Sequence, residues 1–176
     1  MRLFGQFAAF LLMCIGASAS AQTFGPPIQG LCLLSRTSAI SASRAGQSMQ
    51  AQLKQMQASL SGELAQRRGG IDQQRQQLGA RQNAIAPIDY QRQLAALDQQ
   101  ARELEQQQNA RFIVAQTHGQ QQIDRALNEA LGRVLTRKAC SLVMERNNTY
   151  GWNNAMDITS DVAREMDTLI QTVTIQ

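Results

Sequence analysis

The sequence predicts an α+β fold in which a long antiparallel α-helical hairpin, similar to a coiled coil, projects as an arm from a small β-strand body. Apolar residues recur at intervals of three, four and seven over residues 49–85, which marks one side of a long helix. The same spacing resumes after Pro87, and folding the chain there sets the two apolar series opposite each other. Each leg would be about 65 Å long at roughly 1.5 Å per residue. We therefore expect an arm over residues 44–138, with its tip near residues 86–89.

The composition of the arm indicates limited stiffness. Twenty-two glutamines lie between Gln47 and Gln122. Polar residues interrupt the apolar series at Arg67, Gln74, Arg81, Gln108 and Arg111. Gly69-Gly70 is a further weak point, because each Gly costs about 1 kcal/mol relative to Ala inside a helix. We expect the arm to bend there, although a tolerated weak point in an exposed helix would have the same sequence. A Gln-rich tract can also be disordered, but the matched apolar series favours a helix.

The first 21 residues have the pattern of a secretory signal peptide. Arg2 precedes an apolar run over residues 7–15, and small residues at 19–21 form a cleavage site. The run is too short for a bilayer, which needs about twenty residues. We expect export and cleavage near Ala21, with Cys14 removed; retention of Cys14 as a lipid anchor is the alternative.

Two cysteines remain in the mature chain, Cys32 and Cys140, and export places them in an oxidising compartment. Each lies second in a short apolar run just outside the feet of the hairpin, so the fold-back brings them close together. A disulfide closing such a loop would add about 4 to 5 kcal/mol of stability in the chain-entropy model. We predict this disulfide; two buried free thiols are the alternative.

The body is predicted to form from both ends of the chain. We expect residues 22–29 to be a flexible lead-in to a first strand over residues 31–34, and residues 141–146 to form a second strand. We expect a turn at Asn147-Asn148 that leads into a further extended segment over residues 149–152. Thr159 is the expected N-cap of a terminal helix. The predicted segments are a signal peptide at 1–21, a lead-in and first strand at 22–43, the arm at 44–138, and C-terminal strands and helix at 139–176.

Such a body has a small core. Only about 70 residues remain for it once the arm is subtracted, and a core of that size is marginally stable alone. We therefore expect an oligomer in which apolar residues of the body are shared between protomers. The residues expected to be shared are Leu31, Leu33, Leu142, Met144 and Trp152.

No arrangement of residues indicates an enzyme. The single histidine, His118, lies in mid-leg without neighbouring metal ligands. Gly69-Gly70 follows no strand, so it is not a phosphate-binding loop. We expect no catalytic residue, no cofactor and no metal ion. The export signal and the lack of an aromatic stacking platform disfavour nucleic-acid binding.

Three segments resemble the Skp/OmpH family of periplasmic chaperones. They are Ser43-Arg44-Ala45-Gly46 before the long hairpin, the strand at residues 141–146, and Asp157-Ile158-Thr159-Ser160-Asp161-Val162. The resemblance covers residues 31–169. It implies a periplasmic homotrimer whose strands form a small β-body and whose three arms enclose an unfolded outer-membrane protein. The implied activity is that of a holdase that uses no ATP. The Gln-rich arm and the cysteine pair depart from the family pattern.

In this interpretation, incompletely covered apolar side chains of the arm bind nonnative chains through many weak contacts. The residues expected on this surface are Met49, Met56, Leu60, Phe112, Ile113 and Val114. The alternative is a structural coiled-coil component of the envelope, a spacer or stalk, which would be a stiff rod. The interrupted apolar series favours the flexible arm.

The mature chain has a small positive charge, with sixteen Lys and Arg against thirteen Asp and Glu. Part of this charge is concentrated on the arm, at Arg67, Arg68, Arg75, Arg81 and Arg92. These arginines would attract acidic unfolded clients, lipopolysaccharide or the membrane surface. Alternatively, they balance neighbouring aspartates on a solvated face.

Overall fold

The computed structural model describes residues 24–175, which form a helical hairpin arm joined at its base to a small body. The elements in chain order are β1 (Leu31–Leu34), α1 (Arg36–Ala42), α2 (Arg44–Ala80), α3 (Pro87–Lys138), β2 (Leu142–Glu145) and α4 (Thr159–Leu169). The predicted α+β class and antiparallel hairpin are confirmed. The predicted signal peptide and its cleavage site lie outside the described residues. None of the described helices combines the length and apolar character that a membrane crossing requires.

The arm consists of α2 packed against α3. The two helices have 37 and 52 residues, or about 55 and 78 Å. The chain reverses over residues 81–86, slightly before the predicted tip. Pro87 is the first residue of α3 instead of part of the turn, because a proline at this position loses no helical hydrogen bond and its fixed φ suits a helix. Helix α2 runs without a break through Gly69-Gly70.

The body contains a two-stranded parallel sheet. β1 pairs with β2 in a register that sets Leu31 beside Leu142 and Leu33 beside Met144. On its other side β1 forms a single parallel bridge between Leu33 and Asp157. β1 therefore lies in the middle, and β2 has a free outer edge within the described residues.

The chain turns at Asn147-Asn148 as predicted, but the segment after the turn, residues 149–152, forms no strand. The chain forms a 3₁₀ turn over Arg146–Asn148, because the Glu145 carboxylate accepts a hydrogen bond from the Asn147 N–H at 3.2 Å. The described part of the lead-in, residues 24–29, forms neither a helix nor a strand. From Phe24 onward it packs on the loop after this turn, where the Asn153 side-chain amide donates to the Gly25 carbonyl at 2.7 Å.

Helix α1 was not predicted, because its serines are typical of turns. Ser35 is the N-cap of α1, and Ser43 ends α1 and also caps α2, where its hydroxyl oxygen accepts from the Gly46 N–H at 3.1 Å. Gly46 is required where the two helices meet, since a Cβ there would lie 1.9 Å from the Ile40 carbonyl oxygen.

Helix α4 begins one residue earlier than expected, because Ile158 and not Thr159 occupies the N-cap position. The Asp157 carboxylate accepts from the Thr159 N–H at 2.9 Å and thereby caps the helix from one residue further back. This leaves the Thr159 hydroxyl free to accept from the buried Ser35 N–H at 2.9 Å. The link joins the two ends of the chain inside the body.

The hydrophobic core lies at the base of the arm, where α2, α3, α4 and β1 meet. After α4, residues 170–175 turn back toward this base and add Val173 and Ile175 to the core. The largest fully buried side chains include Leu33, Ile123, Leu127, Val134, Val162 and Met166.

Candidate functional site

A disulfide joins Cys32 of β1 to Cys140 at the foot of the arm. Their Cα atoms are 5.8 Å apart across 108 residues of sequence. Cys140 reaches this position because Ala139 adopts a left-handed conformation, with φ of 53°, and ends α3. The Cys140 N–H then donates to the Leu135 carbonyl at 3.0 Å. The same turn directs the chain into β2.

Ion pairs attach the foot of the arm to α4. Glu165 accepts from Arg137 at 3.0 Å and from Arg133 at 3.3 Å, and Lys138 lies 2.9 Å from Asp161. The Arg137 guanidinium, together with Arg133, holds the pKa of Glu165 below its usual value despite partial desolvation. Hydrogen bonding to Lys138 lowers the pKa of Asp161 in the same way. These pairs orient the arm on the body.

Strand β2 exposes an apolar stripe along the free edge of the sheet. Leu142 and Met144, two of the residues predicted to be shared between protomers, are 58 % and 43 % exposed. Alternate residues of a strand point to the same face, so these two side chains lie side by side. Leu31 and Trp152 are half-buried, and the Arg146 guanidinium lies 5.7 Å from the Trp152 ring centroid.

The prediction that Leu33 is shared between protomers is wrong. Its side chain is only 2 % exposed within its own chain, and β2 and the Asp157 bridge flank the strand on both sides. Leu33 is therefore a core residue of its own chain, and an interface in the body would depend on the exposed stripe of β2.

The predicted apolar surface of the arm divides into two groups. Met49 and Leu60 are buried in the seam between the legs, so their prediction as client contacts is wrong; the partner helix covers them. Met56 and Phe112 are half-buried. Ile113 and Val114 are 60 % and 53 % exposed on consecutive positions of α3, because they lie outside the seam. These two residues remain available for contact with another polypeptide.

Most of the predicted basic surface is already neutralised by carboxylates. Arg67 pairs with Glu63 at 2.7 Å, and Arg68 pairs with Glu105 of the other leg at 2.7 Å. Arg75 binds both Asp72 and Asp98, and Arg92 lies 3.4 Å from Asp89. Arg81 has no carboxylate partner within the described residues. Three of these five pairs lie within one helix and two link the legs, so the arginines mainly balance neighbouring carboxylates, as in the alternative interpretation.

A further ion pair, between Arg111 and Glu63, lies beside a polar residue that interrupts the seam. Gln108 is buried, and its side-chain oxygen accepts from Arg111, which also binds Glu63 at 3.0 Å. Hydrogen bonding from Arg111 and Gln108 lowers the pKa of Glu63. A glutamine in the seam is tolerated because its polar atoms are paired. The spacing of residues in the sequence could not show this pairing of Gln108, since Arg111 lies on α3 and Glu63 lies on α2.

Residues of the kind used in catalysis or metal binding are scattered in the described part of the chain. His118 is exposed on α3. Between residues 24 and 175, no three His, Cys, Asp or Glu side chains come together as a group that could hold a metal ion. The Ile113–Val114 pair and the edge of β2 are exposed features that another molecule could contact.

Comparison with known proteins gives a consistent assignment. A family model described as "Outer membrane protein (OmpH-like)" matches residues 32–166. A crystal structure of a protein from Caulobacter crescentus CB15, described as a candidate outer membrane chaperone (OmpH-like), superimposes with a TM-score of 0.74. The two chains are 26% identical, and the match covers 87% of this chain and 92% of that one. None of the curated proteins matches. Because the family model spans most of the sequence and the fold agrees, the chain belongs to the OmpH-like family.

Proposed function

We propose that this protein is a periplasmic holdase that binds unfolded outer-membrane proteins without ATP and works as a homotrimer. Membership of the OmpH-like family supports a chaperone role. The single observation that supports the proposal best is the exposed Ile113–Val114 pair, two neighbouring aliphatic side chains on the surface of the arm. An arm two helices thick has no interior for a substrate, so binding takes place on its surface.

Trimer formation is attributed to the body. The outer edge of β2 has unpaired main-chain groups, and Leu142 and Met144 beside it are exposed. A strand edge of this kind pairs readily with another chain. Three copies joined at this edge would set three arms around one client, so that many weak contacts add up to useful affinity.

The test is suppression of aggregation when a urea-unfolded outer-membrane barrel is diluted into buffer without nucleotide. The variant Ile113→Asp/Val114→Asp should lose most of the protection, since its charges cannot contact apolar client segments favourably. The matched control is Gln116→Asp/Thr117→Asp, which adds the same charge at exposed positions of the same helix. Equal protection by both variants, or none by the unmodified chain, would contradict the proposal; the latter would favour a spacer or stalk.

The trimer is tested by sedimentation of the mature chain. Leu142→Asp should dissociate it while leaving the helical content unchanged, because the side chain makes little contact within its own chain. Tyr150→Asp is the control, since Tyr150 is fully exposed and lies outside the strand. A folded monomer for the unmodified protein would reject this part of the proposal.

A further inference from the structure

Residues 171–175 lie in a groove at the base of the arm. Val173 and Ile175 are each 3 % exposed, whereas Thr172 and Thr174 are exposed. An alternation of this kind is typical of an extended segment that presents one apolar face. Beyond Ile170, the described tail makes no main-chain hydrogen bond to the main chain of another segment.

Glutamine side chains hold the tail instead. The Gln122 side-chain amide donates to the Thr174 carbonyl at 2.6 Å and accepts from the Thr174 N–H at 3.1 Å. From the opposite leg, the Gln52 amide donates to the Val173 carbonyl at 2.7 Å. All three bonds contact peptide groups, which every polypeptide has. The groove therefore recognises an extended main chain without requiring a particular side chain at Thr174.

The floor of the groove lies close to the tail at Gly119, and the groove continues along the arm beyond the tail. A Cβ at Gly119 would lie 3.1 Å from Ile175 Cγ2 and 3.3 Å from Met49 Cε, so the bare glycine leaves room for the aliphatic side chain. A cavity of about 240 Å³ adjoins Ile175 and is bordered further along the arm by Met56 and Leu60. Methionine side chains adapt to occupants of different shape.

We propose that this groove binds an extended polypeptide segment of alternating aliphatic and polar residues, and that residues 171–175 are an internal occupant that such a segment displaces. The ligand class rests on the proposed function. Strand sequences of outer-membrane barrels alternate between apolar and polar residues, and an unfolded barrel keeps this sequence pattern. A tethered occupant competes at high effective concentration, so the groove accepts outside segments only when they are abundant or multivalent.

The experiment uses the full mature chain and a fluorescein-labelled hexapeptide, Gln-Thr-Val-Thr-Ile-Gln, which copies the tail. Thr174→Pro removes the N–H that donates to Gln122 and weakens the tail's attachment while leaving the groove intact. Fluorescence anisotropy should show that this variant binds the probe about fivefold more tightly than the unmodified chain, the effect of one lost hydrogen bond. Thr172→Pro is the matched control and should not change the affinity.

A second variant tests whether the probe binds in the groove that the tail vacates, or elsewhere on a chain whose tail is loosened. Thr174→Pro combined with Gln122→Ala should lose the gained affinity, because the groove loses two of its three hydrogen bonds to the peptide main chain. A Thr174→Pro chain that binds the probe no better than the unmodified chain would overturn the inference, as would the absence of binding at about 1 mM probe. Aggregation suppression is measured separately. Probe binding without suppression would reject only the holdase, and suppression without probe binding would reject only the groove.

Discussion

Replacing both Gly69 and Gly70 with Ala tests whether arm flexibility is used. Both positions are exposed, and a Cβ at either would meet no atom within 4 Å, so the new methyl groups cause no clash. The expected effect is therefore helix propensity alone, about 1 kcal/mol for each glycine and about 2 kcal/mol in total. For a chain of this size, that gain corresponds to a rise in Tm of roughly 4 to 8 °C.

The free energy of unfolding is measured by urea denaturation followed by far-UV circular dichroism. Hydrogen exchange over residues 66–74 should slow, because the gain lies in this part of α2. Gly62→Ala is the matched control, since Gly62 is also exposed in α2 with no atom within 4 Å of an added Cβ. It should give about half the stabilisation and leave exchange at residues 69–70 unchanged. No stabilisation by the double variant would refute the reasoning.

The same variant separates a working hinge from a tolerated weak point. If clients of different size are accommodated by bending at Gly69-Gly70, the stiffened arm should protect a large unfolded barrel less well while still protecting a small one. Aggregation of both clients is measured with the double variant and with Gly62→Ala. Equal protection of both clients would show that the two glycines have no role in binding.

Three further predictions concern the base of the arm. Replacing Cys32 and Cys140 with Ala should lower the free energy of unfolding by about 4 kcal/mol in non-reducing urea titrations, because the disulfide spans 108 residues; free thiols found by labelling the denatured, unreduced mature chain would contradict this. Ala139→Gly should raise the same free energy by up to about 1 kcal/mol, since a left-handed conformation strains alanine and not glycine; a less stable variant would reject the explanation. The pKa of Asp157 is lowered, because hydrogen bonds from Thr159 and Arg146 outweigh the opposing effect of burial. Its stabilisation is thus present above the ordinary pKa of 3.8 and is lost as the pH falls through the lowered value. Unfolding titrations at decreasing pH should show a steeper loss for the unmodified chain than for Asp157→Asn, and parallel curves would argue against this role.

The helical hairpin could be predicted from the sequence because its signals are local. Apolar residues spaced for one side of a helix recur on both legs, Ser43 caps the first leg, and Pro87 starts the second. The strand over Leu31–Leu34 was equally evident as a short apolar run. In each case the relevant contacts lie within one turn or between residues that a simple fold-back brings together.

The candidate site depended on tertiary structure, because burial is decided by neighbours distant in the sequence. The sequence predicted both Met49 and Ile113 as exposed residues of the arm that bind clients. In the structure α3 and the tail cover Met49, whereas Ile113 lies outside the seam. The groove brings together Gln52 and Val173, which are 121 residues apart in the sequence. No local pattern encodes such a contact, since a glutamine that binds a main-chain carbonyl has the same sequence appearance as one that faces water. The sequence by itself determined the hairpin, and only the packing of both chain ends at its base decided which residues remain free to bind.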